Sequence, residues 1–352
     1  MQASPPRPVW SRRHLTAGCL ALVLLAALLV SCKSFVNASP NLRWWLFANF
    51  GADQLCPEML KRGAPLKLTP NGNTIGRFYP NQCRHELNQQ AQTVTVYFGG
   101  SGLAWTPIAG RVGFSASAAV EYRMDFYLGD DADYIWARTN RIVQGPDFQV
   151  GSVENKVVDW ATKTPVGYLA NTFGGQIVSS HLTNGFTVVR TEAGDEFTLG
   201  HLSPPQRPQK PFDTSATERY VFMNETTEVQ VNQIDMLGPF EVAKNSQSLF
   251  LRLRSSGPPI DVQVIHRGVG DLWRSGLQLG APLAPPTQPP IATFTLQPGP
   301  EIQQRFKLGP GQYYVVLDNS SAVGSVNPPW NPLATMGASA AVVSYTAELA
   351  ED

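Results

Sequence analysis

A run of alternating residues from Val112 to Leu128 constrains the fold of this chain more than any other feature. The apolar positions share one face, and they are Val112, Phe114, Ala116, Ala118, Val120, Tyr122, Met124, Phe126 and Leu128. The intervening positions are small or polar, so the pattern predicts a half-buried antiparallel strand. At about 3.3 Å per residue the strand would span about 56 Å, far beyond the usual length, and we expect a bend between Gly113 and Ala119. Residues 129–133 predict a turn, and Tyr134–Ile142 a returning partner strand.

Shorter strands on both sides of this pair extend the sheet. The sequence predicts a strand over Val94–Phe98, which ends at the turn-like segment Gly99–Gly102. Two further strands, Phe186–Thr191 and Glu196–Leu199, are joined by residues 193–195. The first half of the chain is therefore expected to contain an antiparallel sheet.

Two helices are predicted beside this sheet. Ser39-Pro40 and Thr164-Pro165 each place an N-cap residue before proline at the first helical position. The first helix is aromatic, and its aromatic residues are Trp44, Trp45, Phe47 and Phe50. We expect them to pack into the core, with a membrane-interface role as the alternative. The second helix has one apolar face, formed by Val166, Leu169, Phe173 and Ile177, and is expected to lie against the sheet.

The second half of the chain is patterned as β-structure throughout. Proline in residues 201–218 predicts an extended linker between two domains. Alternating residues beyond it predict short strands around 249–254, 260–264, 313–317 and 343–349, which favour a β-sandwich. We therefore expect a mostly β, α+β protein, with an N-terminal antiparallel sheet carrying amphipathic helices and a C-terminal β-sandwich. The expected boundaries are 1–31 for a signal peptide, 32–39 for a tether, 40–200 for the α+β domain, 201–218 for the linker and 219–352 for the sandwich.

The N-terminus has the layout of an export signal. Arg7, Arg12 and Arg13 precede an uncharged apolar run from Leu20 to Val30. The four residues at its end, Leu29-Val30-Ser31-Cys32, resemble the lipobox of bacterial lipoproteins. The resemblance implies cleavage before Cys32, acylation of its thiol and a membrane anchor in the cell envelope. An uncleaved signal anchor is the alternative, although the run is at the short limit for a membrane-spanning helix.

Charge and cysteine content indicate which partners and which covalent bonds to expect. Cleavage after Ser31 would leave 24 basic and 27 acidic residues, without a basic block, so nucleic acid is not an expected partner. With Cys32 acylated and Cys19 removed, Cys56 and Cys83 remain. An exported location favours a disulfide between them, which would stabilise the fold by about 3 kcal/mol. Lys33 is not the aspartate that signals inner-membrane retention in enteric bacteria, so we expect the outer membrane, on its periplasmic face or at the surface.

No sequence motif indicates a reaction. The histidines of the mature chain, His85, His181, His201 and His266, are far apart in sequence, and zinc-protease, nucleophile-elbow, phosphate-loop and dinucleotide patterns are missing. We therefore expect no cofactor, no metal and no catalytic residues, while a catalytic set assembled only in space stays open, including a hydrolase. Asp271, with His266 and Arg267, is expected to lie in a surface loop.

The preferred hypothesis is a non-catalytic envelope lipoprotein that acts as a binding or structural module. The one-sided strand and the amphipathic helix are similar in outline to tubular lipid-binding proteins and related periplasmic carriers, which implies an apolar ligand. The competing interpretation is that sheet and helix bury their apolar faces against each other and leave no cavity.

A surface adhesin or assembly partner is the alternative function. Residues 310–320, PGQYYVVLDNS, resemble the late strand and turn of GOLD-type extracytoplasmic β-sandwich modules, which implies binding of proteins, lipids or glycans. The Pro-rich loop 327–332 presents Trp330, whose indole is the candidate contact for a glycan or an envelope protein.

Overall fold

The structure, a computed structural model, describes most of the chain beyond the N-terminal segment. The described residues are 36, 38–61, 63–69, 71–107, 109–155, 172–177, 182–191, 194–208, 214, 215, 218–328 and 340–351. The predicted signal peptide, Cys32, His181 and Trp330 lie outside them.

One curled, seven-stranded antiparallel sheet forms the N-terminal part. Its strands follow one another in chain order, and they are β1 (Ala64–Leu66), β2 (Gly76–Asn88), β3 (Thr93–Thr106), β4 (Gly110–Leu128), β5 (Asp133–Val153), β6 (Phe186–Thr191) and β7 (Gly194–Leu199). The long strand predicted from alternation is β4, and its β5 pairing shifts register at four places between Gly113 and Tyr122. These irregularities let a strand of 19 residues curve.

The apolar face of this sheet is covered by helices. Helix α1 (Pro40–Phe50) begins after Ser39 with proline in its first turn, as predicted, and α2 (Leu55–Met59) follows. Trp44 and Phe47 are buried in the sheet core, whereas Trp45 is 51% exposed. Residues 172–177 of the second predicted helix are helical and place Phe173 and Ile177 in the same core. Core packing is thus confirmed for two aromatic residues of α1.

The C-terminal part is a β-sandwich of two four-stranded antiparallel sheets. One sheet has the order β13-β10-β15-β8 and the other β12-β11-β14-β9. The strands are β8 (Tyr220–Val229), β9 (Gln233–Val242), β10 (Gln247–Ser256), β11 (Ile260–His266), β12 (Ala292–Leu296), β13 (Ile302–Phe306), β14 (Gly311–Asn319) and β15 (Ala341–Glu351). Successive strands alternate between the sheets except at β11–β12, which gives the strand order of a jelly roll. The mostly β, α+β architecture is therefore confirmed.

Two segments differ from the sequence expectation. Gly99–Gly102 does not end a strand, because β3 continues through it. A Cβ at Gly102 would lie 2.3 Å from the Phe114 ring, so the missing side chain leaves room for a core aromatic. The expected loop after His266 is instead a helix, α3 (Arg267–Gln278), inserted between β11 and β12.

A buried ionic cluster joins the N-terminal sheet to the sandwich. Arg77 of β2 is 1% exposed and makes two hydrogen bonds to Asp235 of β9, at 2.9 and 3.1 Å. Its Nη2 also lies 2.5 Å from Glu225 and 3.1 Å from the Tyr345 hydroxyl. Tyr79 donates a hydrogen bond of 2.6 Å to the carbonyl of Met236. Because a buried charge is costly without its partners, this cluster fixes the two parts together.

The predicted disulfide is present. Cys56, in α2, bonds to Cys83, in β2, with the Cα atoms 5.3 Å apart. The bridge ties the helical cover to the sheet on which it lies.

None of the helices within the described residues has the length and hydropathy needed to cross a membrane.

Candidate anion-binding cleft

A cleft of about 480 Å³ lies where the N-terminus of α1 meets the end of β4. Thr93, the first residue of β3, pairs with Arg123, so β4 extends five residues beyond its neighbour. Helix α1 lies beside this extension, where the Arg43 Nη1 donates a hydrogen bond of 3.2 Å to the Phe126 carbonyl. The Gln92 amide bonds to Asn41 at 2.6 Å and closes the other side. The cleft is therefore built from one helix, one turn and the paired ends of β4 and β5.

Three arginines converge on this cleft. Arg123 of β4 and Arg138 of β5 are direct cross-strand partners, and Arg43 reaches in from α1. Like charges directly opposite each other in a sheet are destabilising. Arg123 makes no hydrogen bond or ion pair with the described residues, and the Arg43 Nε is buried without a partner among them. The cleft thus carries more positive charge than its own side chains offset.

One carboxylate lies within the cleft. Asp125 is 3.9 Å from the Arg138 guanidinium, at the outer limit of an ion pair, and both side chains are exposed. Its Oδ1 accepts a hydrogen bond of 2.9 Å from the Phe126 amide. At this distance and exposure the pair contributes little. Three cations and one anion leave the cleft with a net charge of about +2.

Aromatic rings continue the same face of the sheet beyond the arginines. Trp136 pairs with Asp125 and Tyr134 with Tyr127, and the Tyr134 and Trp136 rings stack with centroids 6.0 Å apart. Tyr127 is 48% exposed beside them. The segment after β7 crosses here, because Trp136 Nε1 donates to the Leu202 carbonyl at 2.7 Å. This end of the sheet therefore presents arginine and aromatic side chains together.

Chemically, the cleft is suited to holding an anion. A guanidinium presents parallel N–H donors that match the oxygens of a phosphate or carboxylate group. The volume is within the range of small-molecule sites. Burial and the nearby Arg138 lower the pKa of His201, so this imidazole stays neutral at pH 7 and adds no charge.

The three histidines within the described residues lie on different elements. His85 lies on β2, His201 follows β7 and His266 ends β11, with its ring 4.9 Å from that of Tyr313. Within the described residues, no three His, Cys, Asp or Glu side chains are arranged to hold a metal ion. Asp271 lies on α3, where it pairs with Arg267 and Arg274. In the sequence, Arg123 is one of the polar positions that alternate with the apolar face of Val112–Leu128, and no pattern singles out Arg43 or Arg138.

On the apolar side of the sheet, the cavity that the described residues line is much smaller. A cavity between α1 and strands β6 and β7, lined by Phe47, Phe186 and Phe197, measures about 20 Å³. That is about the size of one water molecule. An acyl chain would not fit there.

A second group of buried polar atoms lies on the outer face of the sandwich. Asp318 of β14 faces Asp261 of β11 across the sheet, and both are buried. Asp261 is fully paired, since it accepts hydrogen bonds from the backbone amides of Ser325 and Val326 at 2.6 and 2.7 Å. Asp318 accepts one from the Ser320 hydroxyl at 2.6 Å, while its Oδ2 has no partner among the described residues. Burial, with the Asp261 charge added, raises the pKa of Asp318 to about 7.

Comparison with known proteins gives no assignment. No protein-family model matches the chain, and no curated protein matches it. Among solved structures, the chain is similar to a glycoside hydrolase family 43 arabinoxylan arabinofuranohydrolase from Bacillus subtilis in complex with cellotetraose. The TM-score is 0.22 and the identity 8%, over 78% of this chain and 67% of that one. A similarity of this degree carries no argument about fold or function.

Proposed function

We propose that the protein is a non-catalytic cell-envelope lipoprotein, anchored through Cys32, that binds an anionic ligand in the arginine-lined cleft. The observation that carries this proposal is the direct pairing of Arg123 with Arg138 beside Arg43. Three like charges beside a single, distant carboxylate lower stability, and an anion bound between them would offset that cost.

The cleft supports an anionic ligand better than an apolar one. Its volume of about 480 Å³ is sufficient for a small ligand, whereas the apolar cavity beside α1 measures about 20 Å³. The adhesin alternative depends on Trp330, which lies outside the described residues, and no observation favours it.

The anchor follows from the resemblance of Leu29–Cys32 to a lipobox. Location in the outer membrane, on either face, is proposed from Lys33 and the same resemblance. The test is metabolic labelling with a radioactive fatty acid. Wild type and a Cys19→Ala control should incorporate label, and Cys32→Ala should not. Label retained in Cys32→Ala contradicts the anchor.

Ligand binding is tested on the purified lipoprotein in detergent. Isothermal titration calorimetry with inorganic phosphate and with glucuronate tests a phosphate and a carboxylate, the two anionic groups that guanidinium groups bind in a bidentate manner. We expect binding of at least one anion, weakened tenfold or more in Arg123→Gln/Arg138→Gln. Arg254→Gln removes an exposed arginine of the sandwich and should bind as wild type does. Equal binding by the double variant and wild type would refute the cleft as the site.

A further inference from the structure

We infer that the anion bound in this cleft is the phosphate group of a phospholipid headgroup, in the same membrane that holds the acyl anchor. This inference rests on the proposed function and adds the source of the ligand.

The short connection to the anchor limits how far the cleft can lie from the membrane. Pro40 lines the cleft and begins α1, and it is eight residues from Cys32. An extended chain spans at most about 3.3–3.6 Å per residue, so this connection reaches no further than about 29 Å. A protein held by acylated Cys32 therefore keeps the cleft within about 29 Å of the membrane surface. The headgroups are the phosphate groups at the highest local concentration there.

The charge of the cleft complements that surface. Arg43, Arg123 and Arg138 face a single carboxylate, Asp125, which Arg138 approaches only to 3.9 Å. Arginines near an anionic leaflet are attracted within about a Debye length, and the guanidinium fork matches two phosphate oxygens at once. The site thus has both the long-range attraction and the contact geometry for a headgroup phosphate.

An exposed aromatic residue distinguishes a headgroup from a phosphate free in solution. Tyr127, on the same face of β4 as Arg123, is 48% exposed. An exposed tyrosine beside arginine is typical of the membrane–water interface, where the ring contacts the lipid and the hydroxyl stays in water. Free inorganic phosphate would gain nothing from this ring.

The experiment places the acylated protein in nanodiscs and measures the reactivity of each arginine. Phenylglyoxal modifies accessible guanidinium groups, and peptide mass spectrometry reads every arginine in the same sample. One set of discs contains phosphatidylglycerol, and the matched set contains only digalactosyldiacylglycerol, which has no phosphate. A third sample adds inorganic phosphate to the galactolipid discs. Arg254, on β10 of the sandwich, is the internal control.

We expect Arg123 and Arg138 to be modified at least fivefold more slowly in phosphatidylglycerol discs than in galactolipid discs, with Arg254 unchanged. In Arg123→Gln/Arg138→Gln, the reactivity of Arg43 should rise in the phosphatidylglycerol discs, whereas Arg254→Gln should leave it unchanged. Equal reactivity of Arg123 and Arg138 in both lipids overturns the headgroup assignment.

The remaining outcomes separate this inference from the proposed function. Protection by inorganic phosphate in galactolipid discs, as strong as that by phosphatidylglycerol, assigns the site to a free anion. That result overturns the lipid source and leaves the proposed anion-binding function in place. Binding of glucuronate but not of phosphate in the titration would do the same, in favour of an acidic glycan. Failure of every anion to bind overturns both.

Discussion

Replacing Asp318 by asparagine should make the protein more stable at neutral pH. Asp318 is fully buried on β14, opposite Asp261 of β11. Just after β14, the Ser320 hydroxyl donates a hydrogen bond to Oδ1 of Asp318. Oδ2 of Asp318 has no partner among the described residues. From β9, the facing residue is the apolar Ile234. No cation from these elements offsets the charge, so ionising Asp318 in the folded protein is unfavourable.

The size of the effect follows from the pKa. Burial raises the pKa of Asp318 from 3.8 to about 7 in the folded protein, whereas the unfolded chain keeps the ordinary value. Between these two values the unfolded state releases the proton and the folded state retains it, so stability falls as pH rises. A difference of about 3 units, at 1.36 kcal/mol each, gives a loss of about 4 kcal/mol by pH 7 to 8. Below about pH 4 both states are protonated and the group contributes no pH dependence.

Urea unfolding of wild type and Asp318→Asn from pH 4 to 8 measures this contribution. The asparagine has the shape of the protonated acid and does not ionise, so its advantage over wild type should be smallest at pH 4. That advantage should grow by about 4 kcal/mol up to pH 8. Asp147→Asn, at an exposed position of β5, is the matched control and should run parallel to wild type. Parallel profiles for Asp318→Asn and wild type would refute the reasoning, whatever their offset.

The other predictions concern the contacts that hold the N-terminal sheet, its helices and the sandwich together. Arg77→Met should lower the free energy of unfolding by about 3–5 kcal/mol, because Asp235 keeps its buried charge without its cation. A loss below about 1 kcal/mol in chemical denaturation argues against this role of Arg77. Replacing Cys56 and Cys83 by serine should cost about 3 kcal/mol, and hydrogen exchange should rise first in the chain between them; unchanged exchange there would count against a stabilising bridge. Protease cleavage within 201–218 should yield two fragments that co-elute on gel filtration until denatured, because the Arg77 cluster joins them; separate elution would mean that this contact is weak.

Sequence predicts the fold best where apolar and polar residues alternate without interruption or where a local signal marks the start of a helix. The alternation over Val112–Leu128 corresponds to β4, and Phe186–Thr191 matches β6 at both ends. The N-terminus of α1 was located by Ser39 and Pro40, since proline at the first helical position is a local signal. In each case the residues themselves carry the information, without help from distant parts of the chain.

The errors arise where tertiary contacts override local preference. Glycine in β3 was interpreted as a turn, yet Gly100 is needed because a Cβ there would lie 2.3 Å from the Tyr79 carbonyl of the neighbouring strand. Helix α3 contains glycine at three positions, which weakens its helical signal. One of them, Gly270, lets the helix approach Tyr314, whose ring would lie 2.4 Å from an added Cβ. Packing against the sandwich stabilises a helix that the sequence alone does not favour.

The sequence does not predict the cleft, because the turn between β4 and β5 is one residue shorter than its pattern indicates. A turn over 129–133, as predicted, would pair Leu128 with Tyr134 and place Arg138 opposite Met124, on the apolar face. The observed turn is one residue shorter, closed by a hydrogen bond of 3.0 Å from the Gly129 amide to the Ala132 carbonyl. It pairs Leu128 with Asp133, and the same register then places Arg138 opposite Arg123. The arginine pair is thus a consequence of turn length, and Arg43 completes the site only because α1 packs beside the free end of β4.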